Sequence, residues 1–562
     1  MKTAFFRLAA AMALLVSPAW LLADVSTSSS SPVVTATPDL KQIMADPDWI
    51  GRPVEQAWWQ LDGESIVYQI ERTGSDQRDW VEIQIDTLQT NILDAAARVS
   101  LDGPDAVFDA DYAQALSLRD GNVILRDLAS NELRQLTGSG QAQIARFSTQ
   151  PERIHVLQAS QWQQVDLATG IHRPVANLVM QDRPFEVSDD ALAEDQLRLF
   201  SVLREQAEEQ RRAHEEAIAA ARLDPNLPPV AWYLGDDHEI DFSMISADGR
   251  WLLAIVSKPS SASGRNDVMP RFVTRSGYVE AEDVRTLVGR NASEPQQVWL
   301  LDLENRSRHN IDLTTLSGRD EDPLADLKQA QDIKPFDADT PRPVRVIGIE
   351  WHPRQATVAF LVRAIDNKDR WLVTLEAESQ EWTERHRLTD PGWINWAFNE
   401  FGWVPGNADD PNLWLLSEQS GYSHLYTIDL DRNRIHQHTD GAFEVFDIQW
   451  HRDGQSALLL SNRSHPTEYD LYRLQMADDE LTRLTELKGL ESFALHPITG
   501  QALLRFSNSY QPAQAAVFDP AQNRILLQTD TRTQAYREIE WQPPEIVGVP
   551  SSHGADQPIW SK

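Results

Sequence analysis

At 562 residues, 41% hydrophobic and 24% charged, the chain can bury a large core, and it is too long for an ordinary single domain unless that domain is a repeat array or propeller. Asp and Glu number 85 against 51 Lys and Arg, a formal charge of −34 that repels phosphate backbones and anionic lipid, so nucleic acid is not an expected partner. The absence of cysteine excludes disulfide frameworks, thiolate catalysis and cysteine-ligated zinc.

The N-terminus, "MKTAFFRLAAAMALLVSPAWLLA", has basic residues at Lys2 and Arg7, an apolar run from Leu8 to Val16, and small residues at Ser17, Ala19 and Ala23. That layout predicts a secretory signal peptide over residues 1–23, cleaved after Ala19 or Ala23, with a disordered polar linker over 24–39. No cysteine follows the apolar run, so a lipoprotein anchor is excluded, and no later run is long and apolar enough to span a bilayer. The expected location is periplasmic or secreted, from a bacterium, with no membrane contact once the signal is removed.

Downstream the chain repeats itself. "NVILRDL" ending at Leu128, "QWQQVDL" at Leu167, "QVWLLDL" at Leu303 and "HLYTIDL" at Leu430 alternate apolar and polar residues, as half-buried strands do. Looser copies end at Leu88, Met476 and Pro520. Several are followed by a turn and a closing strand, ending at Thr137, Thr439 and Thr485. Upstream of each lies an apolar or aromatic anchor entering a turn: Trp59, Leu116 (the weakest), Phe147, Ile245, Trp351, Trp403, Trp450 and Leu495. The last anchors are spaced by 52, 47 and 45 residues, close to the roughly 40–50 residues of a four-stranded propeller blade. The expected fold is all-β, an eight-bladed β-propeller over residues 40–545, with seven blades as the alternative.

The repeat also assigns the histidines. His352, His451 and His496 follow an anchor, where Ser148 and Ser246 stand in other copies, so turn geometry explains them. Ser423 and His424 open a strand; adjacent strand residues point to opposite faces and cannot form a nucleophile–base pair with each other. No HExxH-like spacing occurs, and neither a metal nor another cofactor is expected.

Two segments break the blade rhythm. Residues 188–224 lack Pro and Gly up to "DPNLPP" and predict a long α-helix capped by Ser188, with an apolar stripe of Leu192, Phe200 and Leu203 and a Glu208–Arg212 pair. It reads as an arm outside the blades, either a solvated strut or a substrate-side or subunit-side lever. Residues 258–295 form a loop insertion placing Glu280, Glu282 and Asp283 near Arg275 and Arg285. These carboxylates could hold a cation or amine, or simply pair with the arginines on the surface. No GxSxG occurs, so the chain has no nucleophile elbow and no catalytic residue is assigned. Residues 546–562 start a new strand-like pattern after a Pro-rich linker.

Five stretches together resemble the prolyl oligopeptidase family of serine peptidases, on its dipeptidyl peptidase IV branch, in the N-terminal propeller region. They are "IMADPDWIG" at Ile43, "DNKDRWL" at Asp366, "LTDPGWINW" at Leu388, "SEQSGYSHLY" at Ser417 and "TDGAFEV" at Thr439. The resemblance implies a propeller that limits access to a separate α/β-hydrolase domain, supplies groups that hold the substrate's N-terminus, and acts on peptide substrates. The hydrolase domain would begin at 546–562 and is otherwise absent, so the chain itself is expected to be non-catalytic. For the family's amine-binding glutamates the candidates are Glu280 and Glu282, then Glu208 and Glu209. A homodimer is compatible with this reading, and the alternative function is a stand-alone propeller interaction module.

Overall fold

Middle strands of the repeats read as nearly continuous apolar runs rather than alternating ones. Trp251–Ser257 is buried at all seven positions and Thr357–Ala364 at seven of eight. A strand so apolar needs cover on both faces of its sheet, which radially stacked sheets provide. Outer strands such as Arg434–Gln437 lack that cover and are polar and exposed.

The computed structural model describes residues 38–45, 47–182, 201–224, 226–259, 266–286, 295–334, 341–406, 412–487, 489–542, 544–554 and 558–562. The signal-peptide reading and residues 188–200 of the helical insertion fall outside them. Eight blades built on four antiparallel strands follow one another: 56–93, 107–135, 142–179, 239–310, 344–389, 401–437, 445–483 and 490–528; the third gains a short fifth strand, Trp232–Tyr233, parallel to its outer strand. In each, chain order is also strand order across the sheet. The fold is an eight-bladed β-propeller with few helices.

First strands line the centre. Arg146 on the first strand of blade 3 reaches Glu350 on the first strand of blade 5 at 3.3 Å, past the whole of blade 4. Blade 2 departs from the sequence reading. Its first strand is the two-residue Val107–Phe108, and Leu116 lies on its second strand, Gln114–Arg119. Two residues are too short to show a period, so the alternation in the next strand drew the anchor to the wrong place. Blades 1 and 2 are joined by buried Asp102, which accepts from Arg126 at 2.7 Å and from the Leu61 amide at 2.9 Å.

The other anchors explain how blades stack. The indole N–H of Trp351 donates to the carbonyl of Met244, Trp403 to Glu350, and Trp59 to Ala494, at 2.9, 3.0 and 2.8 Å. Each acceptor stands one residue before the anchor of the preceding blade. Trp450 keeps the position, but its N–H finds no acceptor among the described residues. The histidines act as turn residues: Nδ1 of His352 accepts from the amides of Arg354 and Gln355, and that of His496 from Ile498 and Thr499.

A second repeated device ends each of four blades. The hydroxyls of Thr137, Thr439, Thr485 and Thr529 accept from the amides of Val123, Leu425, Leu471 and Ala515, always 14 residues earlier. A buried amide near the start of the third strand, where the closing strand no longer reaches, is thereby satisfied. The ring closes between blades 8 and 1 without strand exchange, through one apolar cluster that includes Trp59, Ile66, Tyr68, Leu503 and Val517.

Candidate functional site

Antiparallel order puts the first-to-second and third-to-fourth turns of every blade on one face of the ring. Second-to-third loops and blade-to-blade connections fall on the other. Anchor turns such as 59–63 and 245–249 are tight. The opposite face carries the hairpin insertion, departs into the helical insertion, and holds the connection 390–400. Both ends of the described ring leave together: Gly51 bridges Arg532, and the Trp49 and Tyr536 rings lie 5.4 Å apart. The C-terminal hairpin, Val547–Val549 with Ile559–Ser561, rests near this loop face, where Trp560 meets His465 at 4.8 Å. No described helix is long and apolar enough to cross a membrane.

Three features stand on the loop face. The first is the connection "DPGWINW", pinned from below by blade 5. Asn367, held at φ +56°, donates to the Ile394 carbonyl; Lys368 donates to the carbonyls of Pro391 and Gly392; Arg370 donates to that of Asn395 at 2.6 Å. So anchored, the loop holds Trp393 at 60% and Trp396 at 57% exposure, with the Arg363 guanidinium 4.2 Å over the Trp396 ring. "DNKDRWL" is therefore the clamp of "LTDPGWINW", a relation the sequence reading left unassigned.

The second feature is an electrostatic chain across blades 5 to 7. Burial raises the Glu444 acid, the Tyr469 hydroxyl donating at 3.3 Å lowers it, and the charge of Glu418 raises it again. Tyr469 is pushed up to about 12, first by burial and then by Glu444. Burial lowers the Arg370 guanidinium, and Glu418 opposes that. In the channel, Glu350 is likewise raised by burial against the pull of Arg146. Its side chain is 42% accessible because it faces the channel, yet surrounding inner strands still thin the water around its charge.

The third feature is the hairpin Asn266–Arg271 with Glu280–Thr286. Its tip exposes Phe272, Val273 and Tyr278. Glu280 and Glu282, two apart on one strand, share a face. Glu280 accepts from Ser276 at 2.6 Å, and Glu282 pairs with Arg271 at 2.5 Å. Arg271 stands opposite Glu280 in the register, so the partner comes from across the hairpin and not from Arg275. Glu208 and Glu209 are exposed on the helix Ser201–Leu223. Arg212 donates to the backbone carbonyl of Glu208 at 3.4 Å rather than to its carboxylate. The C-terminal half of the helix leans on the outer edge of the ring, with His214 and Ile218 beside Trp232 and Tyr233, and Arg222 donating to Asn305 at 2.5 Å. Among the described residues, no ion pair or hydrogen bond joins the two pairs of glutamates.

Serine–histidine contacts inside the ring are structural. Ser423 donates to the Val445 carbonyl at 2.8 Å, while His424 bonds Thr439 and the Gly441 carbonyl. His386 and Ser417 do meet at 3.1 Å, but both are buried between blades 5 and 6. Burial holds His386 at about 4, and no carboxylate bonds its ring among the described residues. Thus the described part of the loop face offers aromatic rings and carboxylates for binding.

Comparison with known proteins agrees with this architecture. Residues 321–513 match the family model for the dipeptidyl peptidase IV (DPP IV) N-terminal region. No curated protein matches the chain. Dipeptidyl peptidase 4 of Porphyromonas gingivalis has a similar structure, with a TM-score of 0.54 at 14% identity over 94% of this chain and 66% of that one. A candidate dipeptidyl aminopeptidase IV from Bacteroides ovatus gives 0.52 at 11% identity, over 91% and 64%. The chain spans just under two thirds of the length of each. It carries a DPP IV-like N-terminal propeller region.

Proposed function

We propose that the chain is the substrate-gating propeller of an exported serine-type peptidase, non-catalytic by itself, whose loop face lies against an α/β-hydrolase domain. The observation that carries this reading is the asymmetry of the ring. Tight turns make one face; the other gathers the hairpin insertion, the clamped tryptophan loop and both ends of the ring. A partner domain joined through those ends would meet that face. The ring would then admit only chains thin enough to reach the enclosed chamber, and the loop-face groups would orient them. Glu280 and Glu282, with Glu208 and Glu209 next, would hold a free peptide amine through charge-assisted hydrogen bonds. The match over 321–513 supports the peptidase context, and the N-terminal sequence supports export.

The test is to incubate the purified chain with dipeptide–chromophore substrates and a serine-directed phosphonate. Neither turnover nor labelling is expected. Stoichiometric labelling of a serine would overturn the non-catalytic assignment.

A further inference from the structure

We propose that His436, His438 and Asp479 form a site for a divalent, imidazole-preferring metal ion of the zinc class, joining blades 6 and 7. The inference is independent of the peptidase reading. His436 lies on the outer strand Arg434–Gln437 of blade 6 and His438 follows it two residues on, so both rings leave the same side of the strand. Asp479 stands in the turn before the outer strand Glu480–Arg483 of blade 7, at φ +57°.

Nε2 of His436 is 2.9 Å from Oδ2 of Asp479, and Nδ1 of His438 is 2.6 Å from Oδ1. One ligand atom from each of the three lies within 4.8 Å of the others. With zinc–ligand bonds of about 2.0–2.1 Å, the ligand atoms of a tetrahedral site stand roughly 3.4 Å apart. The carboxylate–imidazole distances are already of that order. Closing the set asks for a small swing of His436, whose side chain is 61% exposed and free to make it.

His438 is the fixed ligand, at 6% exposure, and its second nitrogen is already engaged, 2.7 Å from the Thr427 hydroxyl. A hydrogen bond to the remote nitrogen is what orients a metal-binding imidazole. Two imidazoles and one carboxylate suit zinc, nickel or copper, whereas calcium and magnesium prefer all-oxygen sets. Remaining coordination positions fall to water on the exposed His436 side. Spacing along the chain hides this set, because Asp479 lies 43 and 41 residues beyond the two histidines.

The experiment uses the full, tag-free chain, titrated with zinc in a calorimeter and melted with zinc, with EDTA, and with magnesium or calcium. One zinc per chain is expected, with a melting temperature several degrees higher in zinc than in EDTA and no response to magnesium or calcium. His436→Ala, at an exposed position that should not disturb folding, is expected to bind zinc at least tenfold more weakly and to lose the thermal shift. Asp479→Asn should do the same, since Asn tolerates the positive φ. Absence of zinc binding to the native chain, or equal binding by His436→Ala, would overturn the proposal and leave a histidine–carboxylate ion-pair network.

Discussion

The His352 ring meets the Trp403 ring edge to face, with centroids 4.8 Å apart and planes at 89°, and so couples the turn of blade 5 to the anchor of blade 6. His496 and Trp59 repeat the contact at 5.2 Å and 80° where the ring closes. The tryptophan in each pair also donates its indole N–H to the preceding blade.

That double role can be separated by mutation. Trp403→Phe keeps a ring but loses the donor to Glu350, and should cost about 1–2 kcal/mol in chemical denaturation. Trp450→Phe should cost less, because the Trp450 N–H has no acceptor to lose among the described residues. Equal losses would mean that ring volume, rather than the bond, sets the strength of the joint.

The threonine device predicts a hydroxyl-specific effect. Thr439→Val leaves the Leu425 amide and one His424 nitrogen without a partner inside the ring. A loss of about 1–3 kcal/mol is expected, with Thr439→Ser close to wild type. Denaturant midpoints of the two variants decide it.

Acid should loosen the ring before the carboxylates titrate. His155, His352 and His386 are buried as neutral imidazoles, each held at about 4 chiefly by burial, against 6.5 when free. The unfolded chain therefore takes up these protons first. Stability is fully present above pH 6.5, falls as pH drops from 6.5 towards 4, and stops falling from this source below that. By pH 5 each imidazole should cost roughly 2 kcal/mol. His386→Gln, which can still bond Ser417, should flatten the slope of melting temperature against pH over that window.

The hairpin carboxylates should not be equivalent. Arg271 already neutralises Glu282, whereas among the described residues Glu280 is bonded by the neutral Ser276 hydroxyl alone. If they hold a peptide amine, Glu280→Gln should weaken binding of a free-amine peptide by about three- to fivefold and Glu282→Gln by less, as exposed ion pairs allow. Arg271→Ala should raise the contribution of Glu282. Titrations with free and N-acetylated peptides read both effects.

Much of the ring was legible because a blade's needs recur. Trp59, Trp351 and Trp403 recur as anchors, Thr137, Thr439 and Thr485 as ends of closing strands, and His352 and His496 as turn residues, whereas the indole and hydroxyl bonds they make join separate strands and emerge only in the structure. Blade 2 hid its first strand because Val107–Phe108 is too short to show a period. The site was less legible for a different reason. Glu280 and Glu282 could be named as carboxylates on an insertion, but Arg271 became the partner only once the hairpin register was fixed. The support of Trp396 by Arg363 and the meeting of His436 with Asp479 join segments far apart in the chain, which no local pattern records.

The central claim is that the loop face, not the tight-turn face, receives peptide. Hydrogen–deuterium exchange of the chain at millimolar concentrations of a short free-amine peptide tests it most directly. The account predicts slowed exchange in segments 266–286, 390–400 and 418–423, with a weaker response to the N-acetylated peptide. Protection confined to the anchor turns, or no protection anywhere on the ring, would contradict it.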